Sequence, residues 1–212
     1  MRHPHGLRAA AAAALPEIGA AYQGGFFAGY ISHTANGVAT HGLIVAPSAS
    51  GYNGKVGLGW KTSATATTGT DSLFNGAANS ANMNNASHPA GQYCEGLTIG
   101  GYSDWYLPAY YELDIAYQNL KPTTASNNTG YGINAYSVPA RTINRTAGAP
   151  ARTSVAAFQS GGAEAFNSQN HLVSTQNSSS SAWVCDFTDG AFVGNSKLDT
   201  DDLVRAFRKF AL

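Results

Sequence analysis

The run GGYSDWYLPAYYELDIAYQNL, residues 100–120, passes from a glycine pair through a polar turn and a Trp to Leu-Pro, then to a helix-like pattern. Pro108 fixes φ for a first helical turn, and Glu112 sits where the positive end of a helix dipole favours a carboxylate. Leu113, Ala116, Tyr117 and Leu120 recur at i, i+3, i+4 and i+7, an apolar stripe on one helical face. Lys121-Pro122 ends the run. These spacings predict a core helix. The expectation is that the middle of the chain is scaffold and that the Ser/Asn/Gly/Asp-rich stretch after it is the working surface.

Working outward, YQGGFFAGYI (22–31) and HGLIVA (41–46) are short aromatic and β-branched runs broken by Gly, and they read as strands, with VGLGW (56–60) as a further candidate. DSLFNGAANSANMNNA (71–86) is weakly helical. HPAGQYCEGL (88–97) places Pro89 at a first helical position and Ala90, Cys94 and Leu97 on one face. Residues 121–165, rich in Thr, Asn, Gly and Pro, read as a long irregular excursion. β character returns in HLVST, SAWVCDFTDG, AFVGNS and LVRAFRKF. Alternation puts Trp183, Cys185 and Phe187 on one face and Val184 and Asp186 on the other. Asp189-Gly190 is a hairpin-turn signal.

The 212 residues suit one sizeable domain, and twelve basic residues balance twelve acidic ones. No basic stripe exists, which argues against nucleic acid as a partner. No run approaches the about 18 apolar residues that span a bilayer, so no membrane insertion is expected. Residues 1–20 read as a tail or short oligomerisation segment, with a signal peptide as the alternative, and 21–212 as the ligand-binding domain. Cys94 and Cys185 show no metal-ligand spacing. A disulfide and two buried free thiols both remain open.

GGYSDWYLPAYYEL, followed much later by STQ, AWVCDFTDG and VRAFRK, resembles a bacterial and phage domain family. Its pattern runs Gly-Tyr-Ser-Asp-Trp-Arg-Leu-Pro-Thr, then Tyr-Trp-Ser-Ser-Thr, Ala-Trp, Phe-x-x-Gly and Val-Arg-x-Val-Arg. The family includes the C-terminal domain of the Legionella collagen-like adhesin, and it is similar to phage tail-fibre tips and to the variable proteins of diversity-generating retroelements. The resemblance covers roughly residues 22–210. It implies an α+β, C-type-lectin-like fold: a small twisted, mostly antiparallel sheet with two helices and long loops. It also implies binding rather than catalysis, no cofactor, and a homo-oligomer with a trimer favoured. The chain departs from the pattern at Tyr106, at Ala109 (where a helix-capping Thr is usual), at His171-Leu172, where the usual aromatic pair is replaced, and at Phe207.

The implied role is receptor binding or adhesion on a phage tail or other virion, or on a bacterial cell surface, with a bacterial surface protein or glycan as partner. The expected ligand-binding set is His171, Leu172, Ser178, Ser179, Ser180, Val184, Asp186, Thr188, Phe192, Asn195, Leu198, Asp199 and Asp201, mixing adaptable short polar groups with Phe192 and Leu198 as apolar anchors. In retroelement diversification, template Asn codons are randomised at their adenines, which excludes Lys, Glu, Gln, Met and Trp. Between Val184 and Leu203 only Lys197 belongs to that set. The alternatives are a structural virion or cell-surface component and an enzyme of the formylglycine-generating type, which would need its two cysteines placed to bind copper. A Ser174–His171–Asp186 triad lacks a nucleophile elbow, the histidines lack zinc spacing, and DTDD (199–202) lacks the glycine and Glu of an EF-hand, so no catalytic or metal residues are assigned.

Overall fold

The computed structural model describes residues 16–54 and 57–212. The expectation for the first 15 residues, and Val56 of the VGLGW candidate, lie outside that range. Along the chain run β1 (Ala21–Tyr22), β2 (Gly25–Ile31), β3 (His41–Val45), α1 (Ser48–Gly51), β4 (Tyr52–Asn53), α2 (Gly76–Ala81), α3 (Pro89–Glu95) and α4 (Tyr110–Leu120). They are followed by β5 (Ser137–Val138), β6 (Asn170–Gln176), β7 (Ser181–Asp186), β8 (Phe192–Ser196), β9 (Val204–Arg205) and β10 (Phe207–Ala211). The protein is α+β with mostly antiparallel sheets and, among the described residues, four helices rather than two. Residues 57–60 form no strand, and 121–165 hold only β5 and one 3-10 turn.

One sheet runs β1-β2-β3-β10 with β5 also on β2, a second runs β6-β7-β8, and β4 pairs with β9. Helix α4 packs against β2, β5, β6 and β7, so it joins the first two sheets. Its approach to β2 depends on Gly29, whose φ is +140° at the point where the β2–β3 register shifts. A Cβ there would stand 2.6 Å from the Asn119 amide, which donates to the Ala28 carbonyl at 2.7 Å.

Two apolar cores lie on opposite faces of the central strands. Ala28, Leu43, Val45, Leu113, Ala116, Tyr117, Leu120 and Cys185 fill one, and Phe27, Ile44, Trp60, Cys94, Trp105, Val184 and Val204 fill the other. Neighbouring residues of one strand therefore enter different cores. The α4 stripe is buried as expected. Both cysteines are buried free thiols in separate cores, so no disulfide links them.

The quoted run is the hub of the fold. Tyr106 bridges Phe207 of β10 through two backbone bonds of 2.7 and 2.9 Å, and Asp104 holds Arg208 in a bidentate pair at 2.7 and 2.9 Å. The Pro108 carbonyl accepts from the Ser174 amide at 2.7 Å and from its hydroxyl at 3.2 Å. Pro108 precedes the helix instead of opening it, because α4 begins at Tyr110. Ala109 supplies no side-chain cap. The Thr175 hydroxyl of β6 accepts the Tyr110 amide instead, at 3.1 Å, and Glu112 reaches back to the Ala109 amide at 2.8 Å. Glu112 is wholly buried and also accepts from the Gly76 amide and the Tyr106 hydroxyl; burial pushes its pKa up to about 7.

Candidate ligand-binding surface

The three-stranded sheet presents two turns at opposite ends. Residues 177–180 join β6 to β7, and 187–191 join β7 to β8 beside Asn170, which pairs with Asp186. The second turn is shaped by Gly190, at φ +79°, with the Tyr117 ring 2.4 Å from where a Cβ would stand. Its carbonyl accepts from the Arg145 guanidinium at 2.6 Å. The first turn is tied down from beneath by Lys197, which is fully buried. Its ammonium donates to the carbonyls of Thr65 (3.1 Å) and Ser179 (3.1 Å) and to Gln176 Oε1 (2.7 Å), and lies 4.4 Å above the Trp60 ring.

Four of the expected contact residues are core. His171, Leu172, Val184 and Phe192 are each no more than 1% exposed. β7 is a central strand with both faces covered, so Val184 enters one core while Cys185 enters the other. Phe192 stacks on Tyr110 at 3.8 Å between ring centroids. His171 lies parallel to Tyr52 and beside Phe166 and Phe187, and its Nδ1 meets the Gln169 carbonyl at 2.9 Å. Burial lowers its pKa to about 3, so it packs as a neutral ring. Ser174 donates to Pro108, not to His171, and the imagined triad is not formed. On β8 it is Val193, 43% exposed, that faces out.

Five expected residues do come together. Asp186, Thr188, Asn195, Asp199 and Asp201 line one open cleft of about 330 Å³, joined by Ser168, Gln169, Asn170 and Asp202. The Asn195 amide is the organiser, donating to Asp199 at 3.0 Å and Asp202 at 2.9 Å. The Thr188 amide donates to Asp186 at 2.7 Å, and the Asp201 amide to Asp199 at 2.9 Å. Four carboxylates and no basic group line the cleft, so its potential is negative. Burial raises the pKa of Asp202, easing that repulsion. Among the described residues no cluster of His, Cys, Asp or Glu is arranged to hold a metal ion.

Ser178, Ser179 and Ser180 are exposed but occupy the other turn, away from the cleft. Leu198 is 49% exposed and does not line it. Asp202 was legible as part of DTDD, but its convergence with Asn170 and Asn195 was not. Both arginines of VRAFR are buried scaffold: Arg205 pairs with Glu164 at 2.8 Å, and Arg208 with Asp104. No helix among the described residues is long and apolar enough to cross a membrane. No protein-family model and no curated protein matches the chain.

Proposed function

We propose that the protein is a non-enzymatic receptor-binding or adhesion protein with a C-type-lectin-like fold, carried on a phage tail or other virion or on a bacterial surface as a homo-oligomer, with a trimer favoured. Its partner is a bacterial surface protein or glycan. The observation that carries this reading is the convergence of Asp186, Thr188, Asn195, Asp199 and Asp201 in one open cleft. The cleft stands on a sheet whose central strand is buried on both faces. A rigid platform with short polar side chains at its rim orders few rotamers on binding.

Recognition uses the β7–β8 turn, the β8–β9 connection and the adjoining strand residues Asp186 and Asn195, because Val184 and Phe192 belong to the core. Retroelement diversification, in this reading, would act on exposed positions such as Thr188, Leu198 and Asp201. A near-copy of this coding segment beside a reverse-transcriptase gene is the genomic signature to seek.

The binding test uses the labelled full chain on a panel of intact bacterial strains. Binding to some strains, abolished by Asp199→Ala with Asp201→Ala while circular dichroism stays unchanged, supports the reading. Binding that survives the double substitution refutes the cleft. Binding to no strain favours a structural component without a specific ligand.

A further inference from the structure

A second groove shares no lining residue with the acidic cleft. One part, about 390 Å³, is lined by Tyr110, Tyr111 and Tyr131 with Ile133 and Asn144. The other, about 310 Å³, contains Gln118, Arg141 and Ile143. Gly132 and Asn144 line both parts, so the two meet. Each volume falls in the ~300–1,000 Å³ range of small-ligand sites. The walls are fixed: the Arg145 amide donates to the Tyr131 carbonyl at 2.7 Å, Arg141 and Asn134 form a backbone bridge, and Arg141 Nε donates to the Gly132 carbonyl at 2.8 Å.

The charges do not cancel. Among the described residues Asp114 is the only acidic side chain lining the groove, and it is paired with both Arg141 and Arg145, with Asn134 donating to the same carboxylate at 2.7 Å. Among the groove-lining side chains, two guanidiniums stand against one carboxylate, an excess of one positive charge. Arg145 is enclosed, its side chain 1% exposed and lying over the Tyr117 ring. Both arginines line this part of the groove, and Arg141, with its side chain 18% exposed, is the more open of the two. The excess charge disfavours a cation in what would otherwise be a tyrosine cage.

Tyr110 stacks on Phe192 and Tyr111 on Tyr136, each through one face, and Tyr131 is the ring most open to stacking. The nearest ring found against Tyr131 is Phe192, tilted by 50° at 6.5 Å, so no parallel ring covers it. Ile133 and Ile143, 54% and 76% exposed, extend the apolar rim. Within the described residues the hydroxyls of Tyr110, Tyr111 and Tyr131 take part in no hydrogen bond and are not sealed from solvent. Flat apolar faces beside free hydroxyls and an amide match a pyranose ring, whose C–H face is apolar and whose rim carries hydroxyls. A guanidinium one subsite away matches a carboxylate.

We propose that this groove binds an acidic saccharide, a glycan unit bearing a hexuronate-type carboxylate, with the sugar ring against Tyr131 and Tyr111 and the carboxylate on Arg141. The inference is independent of the acidic cleft, which would repel such a ligand.

The test is calorimetry and saturation-transfer NMR on the full chain with three probes: trigalacturonate, an oligoglucuronate and sialyllactose, each beside its neutral counterpart. At least one acidic probe is expected to bind in the millimolar range, about tenfold tighter than its neutral counterpart, and more weakly as salt rises. Arg141→Ala is expected to remove that preference and Arg141→Lys to restore part of it. Tyr131→Ala is expected to weaken binding about tenfold, whereas Tyr131→Phe keeps most of it. Asp199→Ala with Asp201→Ala should leave it unchanged, which separates this site from the cleft. Circular dichroism checks the fold of each variant. No saturable binding of any acidic probe up to about 10 mM overturns the proposal. So does equal affinity for the neutral counterparts, for a triglutamate peptide, or for folded Arg141→Ala and Tyr131→Ala variants.

Discussion

Asp114 is the residue whose loss the fold should tolerate least. Its carboxylate, 3% exposed, is shared by Arg145, 1% exposed, and Arg141, 18% exposed, and accepts the Asn134 amide as well. Asp114→Ala would leave two guanidiniums buried side by side without the carboxylate that pairs with both, Asp189 acting on Arg145 only. Removing one partner of a buried ion pair costs about 3–5 kcal/mol, most of it the burial of the charge left behind. At ~2–4 °C per kcal/mol for a chain of this size, the melting temperature should fall by roughly 6–20 °C. Arg141→Ala should behave differently. It removes the excess charge and leaves a one-to-one pair between Asp114 and Arg145, so its expected cost is about 1 kcal/mol. Urea unfolding followed by tryptophan fluorescence and far-ultraviolet circular dichroism gives both values, and a double-mutant cycle of Asp114→Ala with Arg145→Met isolates the coupling. A loss below about 1 kcal/mol for Asp114→Ala, or equal losses for Asp114→Ala and Arg141→Ala, would refute the charge accounting.

Three further outcomes are expected. Glu112, with its pKa raised to about 7 by burial, keeps its proton in the folded state where the unfolded chain has lost it. Its contribution is therefore fully present below the ordinary carboxylate pKa and is lost as pH rises through 7, by about 3 kcal/mol in total. Urea midpoints measured across that range should show the decline, and Glu112→Gln should flatten it. Lys197→Met would strand the acceptors on Thr65, Gln176 and Ser179 and should cost about 2–4 kcal/mol in the same assay; a change within about 0.5 kcal/mol would show that the lysine does not hold the 177–180 turn. Gly190→Ala meets both a left-handed backbone and the Tyr117 ring, so a destabilisation of about 2–4 kcal/mol is expected by thermal melting, and a neutral result would contradict the packing of that turn.

The helical stripe of α4 was legible because Leu113, Ala116, Tyr117 and Leu120 meet the core through ordinary 3.6-residue periodicity. The longer strands β2, β3, β6, β7, β8 and β10 and the Asp189-Gly190 hairpin were legible for similarly local reasons, whereas the two-residue β4 and β5 were not and 57–60 is no strand. Alternation misled at Val184 because it presumes that one strand face meets water, whereas β7 separates two cores. The start of α4 was displaced from Pro108 to Tyr110, and its cap is Thr175, remote in sequence and beyond any local signal. The acidity of 199–202 was plain, but the cleft it forms requires Asn195, Asp186 and Asn170 to be brought alongside by strand pairing. The tyrosine groove was invisible for the same reason: Tyr110, Tyr131 and Arg141 belong to a helix and an irregular excursion that are brought together by tertiary contacts, among them Asp114 with its arginines and Tyr117 with Asn127.

The pairing of β10 with β3, and of Phe207 with Tyr106, has a consequence for how the chain matures at the ribosome. Until Phe207–Ala211 emerge, β3 has an open edge, Asp104 has no guanidinium, and the backbone of Tyr106 lacks its bridge. The framework of the first half is therefore completed by a strand that is translated after it. The turns at 177–180 and 187–191 precede that strand in the chain, so they too belong to a framework that is closed after them.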